Sequence, residues 1–244
     1  SDVGQPLSEI DTPALCIDLD RLEANIRRMA EVCDSHNVQW RPHSKGHKSP
    51  EIARRQVEAG AIGVTCAKLG EAEIMAAGGI CDIPIANQLV GPHKMRRLAE
   101  LCRTADHVVA VAHKHQVDAM RHAISAAGVQ LRAIVEVARP MRYGGPLLTV
   151  NDLSEKEQNI PQAMAQLDAT RAMLIENDLP CPIVSAGGTG SYAYTVDCPG
   201  ITELQAGGLI FMDVFYRDQC QVSGFEHALT IQATVVSRPT PDRA

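Results

Sequence analysis

The sequence predicts a layered α/β fold built from parallel strand–helix units. Short apolar runs alternate with amphipathic stretches of about ten residues, joined by short connections. The runs are apolar throughout rather than alternating, as strands covered on both faces are. Hydrophobic residues make up 45% of the chain but aromatics only 3%, so the core has to be built mainly from Ala, Val, Ile and Leu.

The elements follow in order. Residues 14–19 form an apolar run, and Leu22, Ile26, Met29 and Val32 then recur at helical spacing, which predicts a strand and an amphipathic helix. A second strand leads into Arg41–Lys48, "RPHSKGHK". Ser49 and Pro50 read as the cap and first position of a helix over 49–60. Strand 62–67, helix 69–79, strand 82–90, helix 92–105, strand 107–112, helix 114–128 and strand 131–137 complete the rhythm, with glycines where helix C-caps belong. Residues 138–162 carry three prolines and a glycine pair and read as a long loop, after which 163–180 resumes a helix. Residues 181–216 read as a strand, a Gly-rich loop and more strand, and 227–244 hold a final strand. No linker or repeat divides residues 1–244, so a single domain is expected. A β/α barrel and an open doubly wound sheet both satisfy this pattern. The G-x-G-x-x-G fingerprint of the dinucleotide-binding open sheet does not follow the first strand.

A net charge of −6 with no basic stripe argues against nucleic acid and favours a small-molecule substrate. The eight cysteines are dispersed without C-x-x-C spacing, as reduced thiols in the cytoplasm would be. No run approaches the roughly 18 apolar residues of a membrane span, and residues 1–13 lack a signal core, so an untargeted protein with no membrane partner is expected.

Two features carry candidate chemistry. Lys45 lies just past a strand end, where parallel α/β proteins collect their active sites. Its neighbours Arg41, His43, His47 and Lys48 disfavour a further positive charge, and a lysine held partly neutral attacks aldehydes to form a Schiff base. The plainer reading is a solvated basic loop ahead of a helix. The second feature is Ser185–Tyr192, "SAGGTGSY", where consecutive N–H groups and the Thr189 and Ser191 hydroxyls make a phosphate cradle, or else a simple turn. A Schiff-base lysine and a phosphate cradle together point to pyridoxal phosphate.

The stretches "DTPAL", "RPHSKGHKSPEIA", "AGAIGVTCAKLGEAE", "GGTGSY" and "TELQAGGLIFMD", in this order over most of the chain, resemble the D-threonine aldolase and D-3-hydroxyaspartate aldolase group. The resemblance implies the alanine-racemase type of fold, a (β/α)8 TIM-type barrel with a β-rich C-terminal domain. It makes Lys45 the Schiff-base residue, Gly188, Thr189, Gly190 and Ser191 the phosphate loop, and Gly207 and Gly208 a second cofactor-facing stretch. Arg142 stands for the family arginine. Arg41 is a candidate contact to the cofactor or a substrate carboxylate, with a structural ion pair as the alternative. His43 and His47 are candidates for proton handling, with structural hydrogen bonding as theirs. The implied reaction is retro-aldol cleavage of a D-configured β-hydroxy-α-amino acid to glycine and an aldehyde. A D-serine dehydratase-like eliminase and a non-catalytic cofactor carrier are the competing readings, and a homodimer is the implied assembly.

Three departures from the family pattern are expected to matter. Ala138 replaces an acidic residue. The chain is shorter by about one strand–helix unit after residue 145. The family's divalent metal, Mn, Mg or Zn, takes its ligands from the C-terminal domain, which is expected to be largely missing from residues 1–244, so no metal ligand is assigned and impaired metal-dependent aldolase activity is expected.

Overall fold

A computed structural model describes residues 4–135 and 152–242. Strand β1 (Ala14–Ile17) precedes helix α1 (Leu19–Ser35), which Asp18 caps by accepting the Arg21 N–H at 3.1 Å. Strand β2 (Gln39–Trp40) runs into a 3-10 turn at Ser44–Gly46 and then α2 (Pro50–Glu58). Next come α3 (Leu69–Ala77), β3 (Asp82–Ile85), α4 (Pro92–Leu101), β4 (Asp106–Val111), α5 (Lys114–Ala127) and β5 (Arg132–Val135). Beyond residue 151 lie α6 (Leu153–Glu176), β6 (Ser185–Ala186), a short helix α7 (Tyr192–Thr195) and β7 (Glu203–Leu204). A 3-10 turn at Gly208–Ile210, helix α8 (Val214–Asp218) and β8 (Leu229–Gln232) follow.

The strand order decides between the two architectures. β3, β4 and β5 pair in parallel and in sequence, and β6, β7 and β2 form a second parallel set. Residues 61–66 join the sets through single parallel bridges, His43 to Thr65 on one side and Cys66 to Ile85 on the other. Reading along the wall gives β6, β7, β2, 61–66, β3, β4, β5, so β7, the last parallel strand in the chain, lies beside β2, the first. An open doubly wound sheet reverses its order at a switch point, whereas this wrap-around belongs to a barrel.

Three expectations are corrected. β1 stands outside the parallel wall and pairs antiparallel with β8. Residues 153–162, expected in a loop, form the start of α6 with Pro161 inside it. Asp152 caps that start, and Lys156, Ile160 and Met164 make a buried stripe at four-residue spacing. The lysine hides the stripe in sequence: its Nζ is buried and donates to the carbonyls of Gln219 and Cys220 at 3.4 and 3.3 Å. Residues 214–218 are helix rather than strand, because Asp213 caps them by accepting the Tyr216 N–H at 2.8 Å.

The core has two parts. One packs α1, Trp40, α6 and Leu204 to Met212 together; the other packs α2 to α5 against β3 and β4. Among the described residues no helix is long and apolar enough to cross a membrane.

Candidate functional site

Lys45 sits on a turn fastened to both neighbouring strands. On one side the N–H groups of Arg41 and His43 donate to the carbonyls of Leu204 and Gln205 at 2.8 and 3.1 Å. On the other, the Ser44 N–H and hydroxyl both donate to the Thr65 carbonyl, at 2.8 and 3.0 Å. The His43 Nδ1 accepts the Lys45 N–H at 3.2 Å and closes the turn. Lys45 itself is exposed at the C-terminal end of the wall.

The expected pile of positive charge is not what the fold presents to Lys45. Burial lowers the His43 imidazole to about 4, with the Lys45 charge adding to it, and burial lowers His47 to about 4 as well. Both rings are neutral near pH 7, and each uses Nδ1 as an acceptor, His47 from the Ser49 N–H at 3.0 Å, so each carries its proton on Nε2. His47 also packs edge-on against Phe211, with ring centroids 6.5 Å apart. Lys48 pairs with Glu71 at 3.3 Å.

Arg41 is directed into the wall, only 2% exposed. Its Nε donates to Glu203 Oε2 at 2.7 Å, and its Nη1 forms an ion pair with Asp82 at 2.5 Å. Burial opposes the charge, but the Glu203 and Asp82 carboxylates outweigh it and hold the guanidinium above its ordinary pKa. Of the two readings open for Arg41, this geometry is the structural ion pair. The pair extends below the site: Ser185 Oγ donates to Glu203 Oε1 at 2.5 Å, and Gln205 Nε2 donates to Ser185 Oγ at 2.8 Å.

The two glycine stretches meet beside this turn. The loop after β6 is closed by the Gly188 N–H donating to Ser191 Oγ at 3.1 Å and the Ser191 N–H to the Gly188 carbonyl at 3.0 Å. Thr189 Oγ1 accepts the Gly208 N–H at 2.8 Å, tying this loop to the one after β7. Gly207 crosses directly over β2: a Cβ there would lie 2.3 Å from the His43 carbonyl oxygen. A Cβ on Gly188, by contrast, would meet nothing within 4 Å. Thr189, Gly190 and Ser191 are buried, and the N–H groups of Thr189 and Gly190 have no acceptor among the described residues. Thr65 Oγ1, buried and on the strand segment beside His43, also lacks a partner among them.

The fold therefore brings Lys45, His43, Gly188–Ser191 and Gly207–Gly208 to the adjoining ends of β2, β7 and β6. Arg142 and Ala138 lie outside the described residues. Sequence reading missed Thr65, Ser185, Glu203 and Gln205; the signal for two of them was the alternation of polar and apolar residues in "TELQA". Among the described residues no three His, Cys, Asp or Glu side chains are grouped to hold a metal ion.

Residues 17–155 match the alanine racemase N-terminal domain family model. The chain belongs to this family. Within it, the chain is 37% identical to a D-threonine aldolase of Arthrobacter sp, covering 98% of this chain and 72% of that protein. It is 31% identical to a 3-hydroxy-D-aspartate aldolase of Paracoccus denitrificans (99% and 72% covered) and 31% identical to a D-threo-3-hydroxyaspartate dehydratase of Delftia sp. (94% and 69%). The crystal structure of D-threonine aldolase from Filomicrobium marinum superposes with a TM-score of 0.91 at 34% identity, covering 96% of this chain and 72% of that one. The Arthrobacter alignment runs over 273 positions, more than the 244 residues present here, so that relative carries residues inside the matched stretch that this chain lacks.

Proposed function

We propose that this barrel binds pyridoxal phosphate through Lys45 and cleaves D-configured β-hydroxy-α-amino acids to glycine and an aldehyde. The observation that carries the reading is the convergence, at one end of the wall, of a pinned, exposed lysine and a buried loop whose Thr189 and Gly190 N–H groups have no acceptor among the described residues. The residues present fit the group. The N–H groups of Thr189 and Gly190, without an acceptor among the described residues, suit a phosphate, open space adjoins Gly188, and Lys45 offers an amine for an aldehyde.

When bound, the cofactor supplies an electron sink for the bond broken at the substrate Cα. The chain's own residues hold and orient. Ser44 fixes the turn from which Lys45 reaches the site. His43, neutral and with its proton on Nε2, is an orienting hydrogen-bond donor rather than a base. Gly207 keeps the β7 loop pressed onto His43. The reading includes a barrel shortened after about residue 145, consistent with the longer aligned length of the relative, and a reducing compartment such as the cytoplasm, which the dispersed spacing of the eight cysteines favours.

The test is borohydride reduction of the protein with pyridoxal phosphate, followed by peptide mapping, with Lys45→Ala alongside. A pyridoxyl adduct on Lys45 that disappears in the variant is expected; a folded protein with unmodified Lys45 would overturn the reading. Similarity to the Delftia dehydratase favours elimination as the second reading. Products separate the two, since cleavage yields glycine and an aldehyde whereas elimination yields a 2-oxo acid and ammonia.

A further inference from the structure

We propose that the cleft between α3 and α4 binds a small organic anion with an apolar body, and that Lys68 and Lys94 read its charge. None of the residues that carry this assignment is one proposed to hold the cofactor.

The cleft encloses about 450 Å3, room enough for a small molecule. It lies at the same end of the wall as Lys45, where the segment 61–66 and β3 turn into the two helices. Its lining carries Lys48, Lys68, Lys94 and Arg97 against one carboxylate, Glu71, in a chain whose net charge is −6. Leu69 and Leu89, both buried, and the exposed Ile74 give the same cleft an apolar surface. Cations alone would suit a hydrated ion, and apolar surface alone a neutral hydrocarbon. Together they suit an anionic head on a hydrocarbon body.

The ion pairs then single out two of the four cations. Lys48 pairs with Glu71 at 3.3 Å, and the other oxygen of Glu71 accepts the Ala67 N–H at 2.9 Å. Arg97 is clamped onto Glu73 through both Nε and Nη2, the first at 2.8 Å. Lys68 and Lys94 are exposed and have no acidic partner among the described residues. Neither has to leave a carboxylate before it meets a ligand, whereas Lys48 and Arg97 would. The backbone adds two donors. Lys68 is the N-cap of α3 without accepting through its side chain, and the N–H groups of Leu69 and Gly70 have no acceptor among the described residues. A Cβ on Gly70 would stand 3.7 Å from Arg97 Nη2, so the missing side chain leaves the first turn of α3 open toward α4.

Titration of the full chain with phenylbutyrate, followed by calorimetry and by amide NMR, tests the assignment. Phenylbutyl phosphate tests the other head group, and phenylbutanol is the neutral counterpart. Saturable shifts of the Leu69 and Gly70 amides are expected, with the better anion binding about tenfold more tightly than the alcohol. Which of the two anions binds better assigns the head group as carboxylate or phosphate. Lys68→Ala combined with Lys94→Ala should weaken binding about tenfold, the scale of two partly exposed ion pairs. Gly70→Leu keeps all four cations but fills the cleft, and should abolish binding. If Gly70→Leu fails to fold, the lysine double variant carries the test, because both of its sites are exposed. Unmoved Leu69 and Gly70 amides, equal affinity for phenylbutanol, or undiminished binding by the lysine double variant would each overturn the proposal.

Discussion

The two walls of the sheet are built on different terms. The β3–β4–β5 wall has strands of four to six residues in unbroken register, and Ile83, Ile85, Val109 and Val111 bury against the helices around them. In the β2–β7–β6 wall each strand is two residues long, and Arg41 and Ser185 both donate to Glu203 across it. The first wall is held by apolar area and a regular ladder. The second gives up ladder length so that its strand ends can turn early into loops, and it recovers order through charge pairing and side-chain-to-backbone bonds. Regularity and chemistry are thus divided between opposite sides of one barrel.

Breaking each wall at a buried residue separates the two modes. Arg41→Ala leaves the Glu203 carboxylate buried without its guanidinium, and should cost about 4 kcal/mol in urea unfolding. Ile83→Ala, at a residue with no exposed surface, removes packing alone and should cost about 3 kcal/mol. The distinguishing result is the repair. Arg41→Met combined with Glu203→Leu should recover much of the first loss, because it removes both buried charges, while Asp82, partly exposed, keeps its pair with Arg132 at 3.6 Å. If the double variant is no more stable than Arg41→Ala, the second wall depends on its ion pair in some other way.

The division also explains what the sequence disclosed. Helices α1 to α5 and strands β3 to β5 follow from apolar periodicity, glycine punctuation and caps such as Ser49, because in that part of the chain burial and local pattern coincide. The β7 strand is nearly invisible for the opposite reason: two ladder residues flanked by Thr202 and Gln205 present no apolar run. Lys45 and the glycine loop were legible as residue types, since an amine near a strand end and consecutive glycines each have a chemical use. Arg41 was legible only as one of two alternatives, because nothing local says that its ion-pair partners come from residues 82 and 203. The start of α6 stayed hidden behind Pro161 and the buried Lys156, whose acceptors lie in residues 219 and 220.

Two glycines of the second wall sharpen the contrast between packing and binding. Gly207→Ala places a carbon 2.3 Å from the His43 carbonyl, backbone against backbone, and should cost roughly 2 kcal/mol while disturbing the Lys45 turn. Gly188→Ala meets nothing within 4 Å and should leave stability within about 0.5 kcal/mol of wild type. Its methyl group nevertheless enters the space beside the loop proposed to hold the phosphate, so weaker pyridoxal phosphate binding with an unchanged melting temperature is expected. A Gly188→Ala protein that is destabilised and binds normally would show the loop to be structural only.

A further effect concerns pH, and its sign follows from burial. His43 and His47 are lowered to about 4 in the fold, against about 6.5 when unfolded. Between these values the unfolded chain takes up protons that the folded one refuses, so stability is full above about pH 6.5 and falls as pH drops toward 4. Both rings keep some exposure, so a loss of roughly 1 kcal/mol for each between pH 7 and pH 5 is expected from urea midpoints. His107, on β4 of the other wall, is lowered by burial too, so part of the slope belongs there. His47→Asn tests the share of the second wall, because the asparagine oxygen can replace Nδ1 as acceptor for the Ser49 N–H without titrating. A shallower slope with an unchanged midpoint at pH 7 would assign that share to a neutral, buried imidazole; an unchanged slope would mean that His47 is already solvated enough to protonate in the fold.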